Sequence, residues 1–216
     1  MNKQKIILLS VISLLILFAF GTFAYNSNKS NEAALIAKKN EEKFIRDYST
    51  VTGNSDAEVT LVEFLDPSCE TCRSFYPIIK DIMVQYKGKI KHVVRYAPFH
   101  EGSDYVIKLL EATKKQGKYE KTLEALFRYQ NQWVDHHVPN KRLVWKLMAH
   151  LGLNIEQLKK DFNDPKLDEL IKQELSDAKT LGVKKTPQYF VNGKFLQEFG
   201  HKQLIELIES ELKKGF

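Results

Sequence analysis

The chain has 216 residues, of which 43% are hydrophobic and 11% aromatic, ample for a packed core arranged as one domain with an insertion or as two small ones. Its net charge of +6 falls to +4 without Lys3 and Lys5. The lysines are scattered among glutamates, and no basic block with interleaved aromatics occurs, which excludes a typical nucleic-acid binder.

Lys3 and Lys5 precede an almost unbroken apolar run from Ile6 to Phe20, and Thr22-Phe23-Ala24 or Ala19-Phe20-Gly21 offers a small-x-small cleavage site. Residues 1–24 read as an export signal, with an uncleaved membrane anchor as the alternative because the run approaches bilayer length. A lipoprotein is excluded, since no cysteine stands there to be acylated. Either way the working part is expected to be periplasmic or otherwise extracytoplasmic, where disulfides persist. Residues 25–31 read as a polar spacer. Helical spacing of Leu35, Ile36, Phe44, Ile45 and Tyr48 between Glu32 and Tyr48 gives a stalk, an oligomerisation helix or a helix packed on the fold.

A turn cluster at Thr52-Gly53-Asn54-Ser55 opens the next unit. Val59 to Leu65 is too apolar for a half-exposed strand and reads as a buried central one. Glu63 is its anomaly. A buried carboxylate is costly unless paired or protonated, which makes Glu63 a candidate proton relay; an edge glutamate is the plainer reading.

The strand runs into Cys69-Glu70-Thr71-Cys72, which holds both cysteines of the chain. Cys69 falls where strand gives way to helix, so unpaired first-turn N–H groups and the positive end of the helix dipole favour a thiolate there. A thiolate attacks disulfides, so Cys69 is the candidate nucleophile and Cys72, one turn on, the candidate resolving thiol. Zinc wants four ligands, and the six histidines show no ligand spacing around this single pair. A purely structural disulfide closing so short a loop would stabilise weakly.

Phe75, Ile78, Ile79, Ile82, Met83 and Tyr86 continue as a helix kinked at Pro77 and ended by Gly88. Ile90 to Tyr96 is the next strand, and His92 and His100 read as ordinary strand and loop residues. From Ser103 to about Ser176 the pattern is helical, with a capping box at Asn154 and Gln157 and a Pro165 start after Asp164; Gln130 to Asn140 is a polar loop carrying Trp133. Gly182 stops the last of these helices. Strand Gln188 to Val191, an Asn192-Gly193 hairpin turn, a return strand Lys194 to Phe199 and a closing helix from His201 to Lys214 complete the chain.

In these residues the chain resembles the thioredoxin-fold oxidoreductases, specifically their DsbA-like branch. Glu63 stands six positions before Cys69, where the superfamily places a buried acid, and Pro77 stands eight after it, where the thioredoxin helix is kinked. Thr186-Pro187 and the following Gln188-Tyr189-Phe190-Val191-Asn192-Gly193 look like the cis-proline loop and its strand. The match covers about residues 53–100 and 178–216, and an all-helical block between them is the DsbA-like signature.

The resemblance implies an α/β thioredoxin fold, a central mixed β-sheet flanked by helices, with an all-helical insertion. Its divisions would be a leader at 1–24, spacer and helix at 25–50, a thioredoxin-like domain at 51–102 and 178–216, and the insertion at 103–177. It implies a cis Thr186-Pro187 bond beside Cys69, with the Thr186 backbone offered to an extended peptide. The activity implied is exported thiol–disulfide exchange with cysteine-containing polypeptides, without cofactor or metal. A membrane redox partner would recycle the pair, quinone-linked for an oxidase, thiol-donating for an isomerase or reductase. Glu70-Thr71 departs from the Pro-His of DsbA and the Gly-Pro of thioredoxin. Glu70 puts a negative charge beside Cys69, so these redox-tuning residues predict a Cys69 pKa below that of free cysteine but above DsbA's, and a weaker oxidant. A periplasmic copper(I) chaperone using the same two thiolates is the alternative from another class, although no methionine cluster supports it.

Overall fold

Two β-branched runs form the centre of the sheet because both of their faces are covered. The computed structural model describes residues 3–214. Residues 1–2 of the predicted leader and 215–216 of the closing segment lie outside the described residues, as do the side chains of Lys3, Lys5 and Ile6 to Leu8. Helix α1 spans Lys3–Lys39, β1 Thr50–Gly53, β2 Val59–Leu65, α2 Glu70–Gln85 and β3 Ile90–Tyr96. The helical block follows as α3 Ser103–Ala112, α4 Tyr119–Arg128, α5 Gln130–Trp133, a small β4 (Val134–Asp135) and β5 (Val138–Pro139) hairpin, α6 Lys141–Ala149, α7 Ile155–Phe162 and α8 Pro165–Thr180. The chain closes with β6 Gln188–Val191, β7 Lys194–Phe195 and α9 His201–Leu212.

The main sheet runs β1-β3-β2-β6-β7. β2 and β3 are parallel, joined through α2, and the other pairs are antiparallel, which makes the sheet mixed. Alternation along β2 sends Leu61 to one face, under Ile79 and Ile82 of α2 and Leu204 and Ile208 of α9. Val62 and Phe64 face the other way, against Phe44, Ala178, Leu181 and Phe190. The helical block builds its own core around Leu109, Leu110, Leu126, Trp133 and Met148, and this core reaches Leu65, Cys69 and Cys72. This is the thioredoxin-like architecture the resemblance implies.

Five local expectations are corrected, the first being Gln130 to Asn140, read as a loop, which holds α5 and the β4–β5 hairpin. Residues 25–31 are no spacer but part of α1, since Asn, Ser and Lys weaken a helix only slightly and no proline or glycine stands there. The helix ends at Lys39, so Phe44, Ile45 and Tyr48 follow it in a 3₁₀ turn and irregular chain. Thr52 and Gly53 belong to β1, paired with His92 and Lys91, and the turn shifts to Asn54, whose side chain accepts from the Asp56 N–H at 3.1 Å. The return strand β7 stops at Phe195. The described apolar side chains Leu14 to Phe18 and Phe20 on α1 are all more than 60% exposed. Among the described residues no helix is long and apolar enough to cross a membrane.

Candidate active site

β2 ends at Leu65 and α2 starts at Glu70, so the intervening Asp66-Pro67-Ser68-Cys69 must turn the chain. Asp66 makes the turn: its carbonyl accepts from the Cys69 N–H at 3.0 Å and its carboxylate from the Ser68 N–H at 2.8 Å. Cys69 thereby becomes the N-cap of α2, with extended backbone and its carbonyl bonded to the Arg73 N–H at 3.1 Å. Only 6% of Cys69 is exposed, and Cys72 is fully buried. Both thiols are free.

The two sulfurs differ sharply. Cys69 is lowered to about 5, chiefly by a hydrogen bond from the Cys72 thiol; burial opposes this, and the Thr186 side chain and the N–H groups of Cys72 and Thr71 add to it. Cys72 is pushed well above the ordinary cysteine value, first by burial and then by Cys69 itself, against a 3.5 Å hydrogen bond from the Asp66 N–H. Such a pair is an ionised nucleophile beside a protonated thiol. Glu70 is exposed, whereas Thr71 acts through its backbone.

Across the site, the Thr186 carbonyl oxygen lies 3.2 Å from Cys69 Sγ and accepts from it when the thiol is protonated. Thr186-Pro187 is cis and Pro187 is buried. Beneath the pair, Glu63 is 4% exposed. Its Oε1 accepts from the Tyr189 hydroxyl at 3.0 Å and its Oε2 lies 3.1 Å from His92 Nε2. Glu63 adds to the upward push on Cys72. Glu63 and His92 also line a cavity of about 550 Å³ walled by Leu65, Ile79, Met83 and Leu123.

The structure thus sets Cys69 beside Cys72 and Thr186, with Pro187 following through the cis bond and Glu63 held within β2 by Tyr189 and His92. It also assigns partners to residues that sequence reasoning passed over. His92, read as an ordinary strand residue, is buried against Glu63. His100, read as an ordinary loop residue, bonds through Nδ1 to Asp66 Oδ2 at 2.7 Å. Asp66 is wholly buried and also accepts from the Ser103 hydroxyl and the Phe99 and His100 N–H groups. Gln130 Nε2 donates to the Pro67 and Cys69 carbonyls at 2.7 and 3.0 Å. The Asp-Pro step ahead of the cysteines is the signal that could have marked Asp66; nothing local marks Gln130.

Known proteins resemble this chain in sequence and in fold. A family model described as thioredoxin matches residues 45–210. A probable disulfide bond formation protein D from Bacillus cereus is 26% identical over 226 residues, covering 99% of this chain and all of that protein. A Na(+)/H(+) antiporter NhaA from Herminiimonas arsenicoxydans is 29% identical over 147 residues; the match takes in 68% of this chain but only 23% of the antiporter's length. Among solved structures, oxidised BdbD from Bacillus subtilis superposes with a TM-score of 0.67 at 25% identity, covering 77% of this chain and 94% of that one.

Proposed function

Since this chain belongs to the thioredoxin family and is a thiol–disulfide oxidoreductase of the DsbA type, we propose that Cys69 and Cys72 are its redox pair and that it donates a disulfide to exported polypeptides. A substrate thiolate attacks Cys69 Sγ; the Cys69–Cys72 bond breaks and a mixed disulfide forms at Cys69. Cys72 leaves as a thiolate and takes a proton through Glu63, because its buried site disfavours the charge. A second substrate thiolate then attacks the substrate sulfur and releases Cys69 as its stable thiolate. The Thr186 backbone beside Cys69 receives the substrate strand.

The observation that carries this reading is the opposed shift of the two thiols, Cys69 to about 5 and Cys72 upward. A stable Cys69 thiolate favours the reduced form, which makes the disulfide form an oxidant. A membrane partner would re-oxidise the pair. The leader at 1–24 would carry the chain out of the cytoplasm, a step supported by its apolar run. Copper(I) chaperoning draws no support from the relatives found. The test meets the oxidised wild type with a reduced two-cysteine peptide, and the reduced single-cysteine variants with the same peptide in its disulfide form. Wild type should transfer its disulfide, Cys72→Ser should accumulate a mixed disulfide through Cys69, and Cys69→Ser should do neither. A mixed disulfide that forms as readily on Cys69→Ser would refute the assignment. Sequencing the N-terminus of protein recovered outside the cytoplasm tests export and cleavage together.

A further inference from the structure

We infer that His100, clamped by Asp66 and roofed by His137, is the cation that stabilises the Cys69 thiolate, so that the loop after β3 and the β4–β5 hairpin set the redox poise of the pair. The inference rests on the proposed role of Cys69 and adds the group that tunes it.

His100 lies outside every regular element, yet its place is tightly determined. Its backbone N–H and its ring Nδ1 both reach Asp66 Oδ2, at 3.2 and 2.7 Å. Asp66 is held in turn by three further donors, from Ser68, Phe99 and Ser103. A protonated imidazole donates to this carboxylate, so the clamp favours the charged ring. The same Asp66 supplies the carbonyl that caps Cys69 and the N–H that reaches Cys72 Sγ, which ties the histidine to the cysteine turn.

The hairpin provides an independent observation. His136 and His137 form its two-residue turn, and both have left-handed backbone, φ 47° and 67°, where asparagine and glycine are favoured. Two histidines hold this costly conformation at a functional face. Its result is a parallel stack of His137 on His100, with ring centroids 4.7 Å apart at 22°.

Asp66 from the turn after β2 and His137 from the hairpin touch His100, and the charge of Cys69 at the start of α2 reaches it. The Asp66 hydrogen bond leads in raising His100 above the ordinary imidazole value; burial opposes it, and the charges of Asp66 and Cys69 add to the rise. Cys69 ionises near pH 5, so an imidazolium and a thiolate coexist above that pH until His100 releases its proton. The attraction is absent from the disulfide form, in which Cys69 carries no charge. It therefore stabilises the dithiol selectively and strengthens the disulfide as an oxidant. A positive charge missing from Glu70-Thr71 is supplied across the site.

Full-length wild type, His100→Gln, His100→Lys and His137→Gln are compared by thiolate absorbance against pH and by equilibrium with glutathione. His100→Gln should raise the Cys69 titration by about one pH unit and lower the constant for oxidising glutathione about tenfold, or about 30 mV. Wild type should show a second, smaller inflection where His100 loses its proton, absent from His100→Gln. His100→Lys should keep the low titration, and His137→Gln should fall between wild type and His100→Gln. Superposable curves for wild type and a folded His100→Gln would overturn the inference, as would a His100→Lys protein that behaves like His100→Gln. Cys69→Ser and Cys72→Ser keep the two readings apart. A low-pH step that survives in Cys69→Ser and vanishes in Cys72→Ser sinks the assignment of the nucleophile. A step that vanishes in Cys69→Ser but ignores His100→Gln sinks the role of His100 alone.

Discussion

Within one turn of helix, two identical side chains meet opposite electrostatics, and the reduced protein should show it as a pH-dependent stability. Cys69 ionises near pH 5 in the fold, below its unfolded value. Such a depressed group contributes stability that is fully present above the unfolded pKa and is lost as pH falls through about 5. At pH 7, about two pH units above the folded titration, the part realised is about 2–3 kcal/mol. The disulfide form has no counterpart beyond the small, pH-independent gain of closing a short loop. Denaturant unfolding of both forms between pH 7 and 5 should show the advantage of the reduced form shrinking; a constant difference would contradict the thiolate account. Glu63→Gln should change stability by less than about 1 kcal/mol, since the amide oxygen still accepts from Tyr189. It should slow the release of Cys72 by about a hundredfold in stopped-flow exchange, and unchanged rates across pH would rule out the relay. Cys69, Cys72 and Glu63 were legible in the sequence because each is conspicuous in its own window, as the two lone cysteines and an acid inside an apolar strand, whereas Thr186 and Pro187 came into view only through the family resemblance. His92, His100 and Gln130 were not legible, because their partners lie 29, 34 and 61 to 63 residues away and no local pattern marks them.

Among the elements, β2, α2, β3 and the helices of the block follow their periodicity and caps closely. Asn154 accepts from the Gln157 N–H and Asp164 from the Lys166 N–H, as side chains at those starts should. β1 was hidden because four residues with a half-exposed pattern become a strand only by pairing with β3. The joint between β3 and α8 was equally hidden. Arg95 is fully buried in it, donating to Glu174 at 2.9 Å, to Asp177 at 2.8 Å and to the Lys43 carbonyl. Arg46 also grips Asp177, at 2.7 and 2.8 Å. Arg95→Met strands the Glu174 carboxylate and should cost about 3–5 kcal/mol in urea unfolding. Adding Glu174→Gln should recover part of that loss; no recovery would mean that the cost lies in packing instead.

For the whole molecule, the redox unit is anchored by the segment after α1, although α1 itself also lies against β7. Phe44 packs on Phe190 with ring centroids 5.0 Å apart, and Arg46 reaches Asp177, so the redox unit begins near residue 44. Removing 1–39 should leave disulfide transfer intact and the melting temperature within a few degrees, whereas removing 1–46 should cost about 3 kcal/mol or more in calorimetry. Equal behaviour of the two truncations would place the boundary elsewhere. The sheet's connectivity also has a consequence in time. Cys69 and the Thr186 carbonyl that it faces are 117 residues apart, and β2 finds β6 only after the whole helical block has been made. At about 5–20 residues per second, a growing chain carries its cysteines for roughly 6–23 seconds before that partner exists. In that interval the turn and α2 can hold the cysteines, but the Thr186 backbone that would lie beside Cys69 is missing. The strand-docking edge arrives with the last quarter of the chain, so an unfinished molecule emerging from the ribosome lacks the surface on which to hold a neighbour's strand against Cys69.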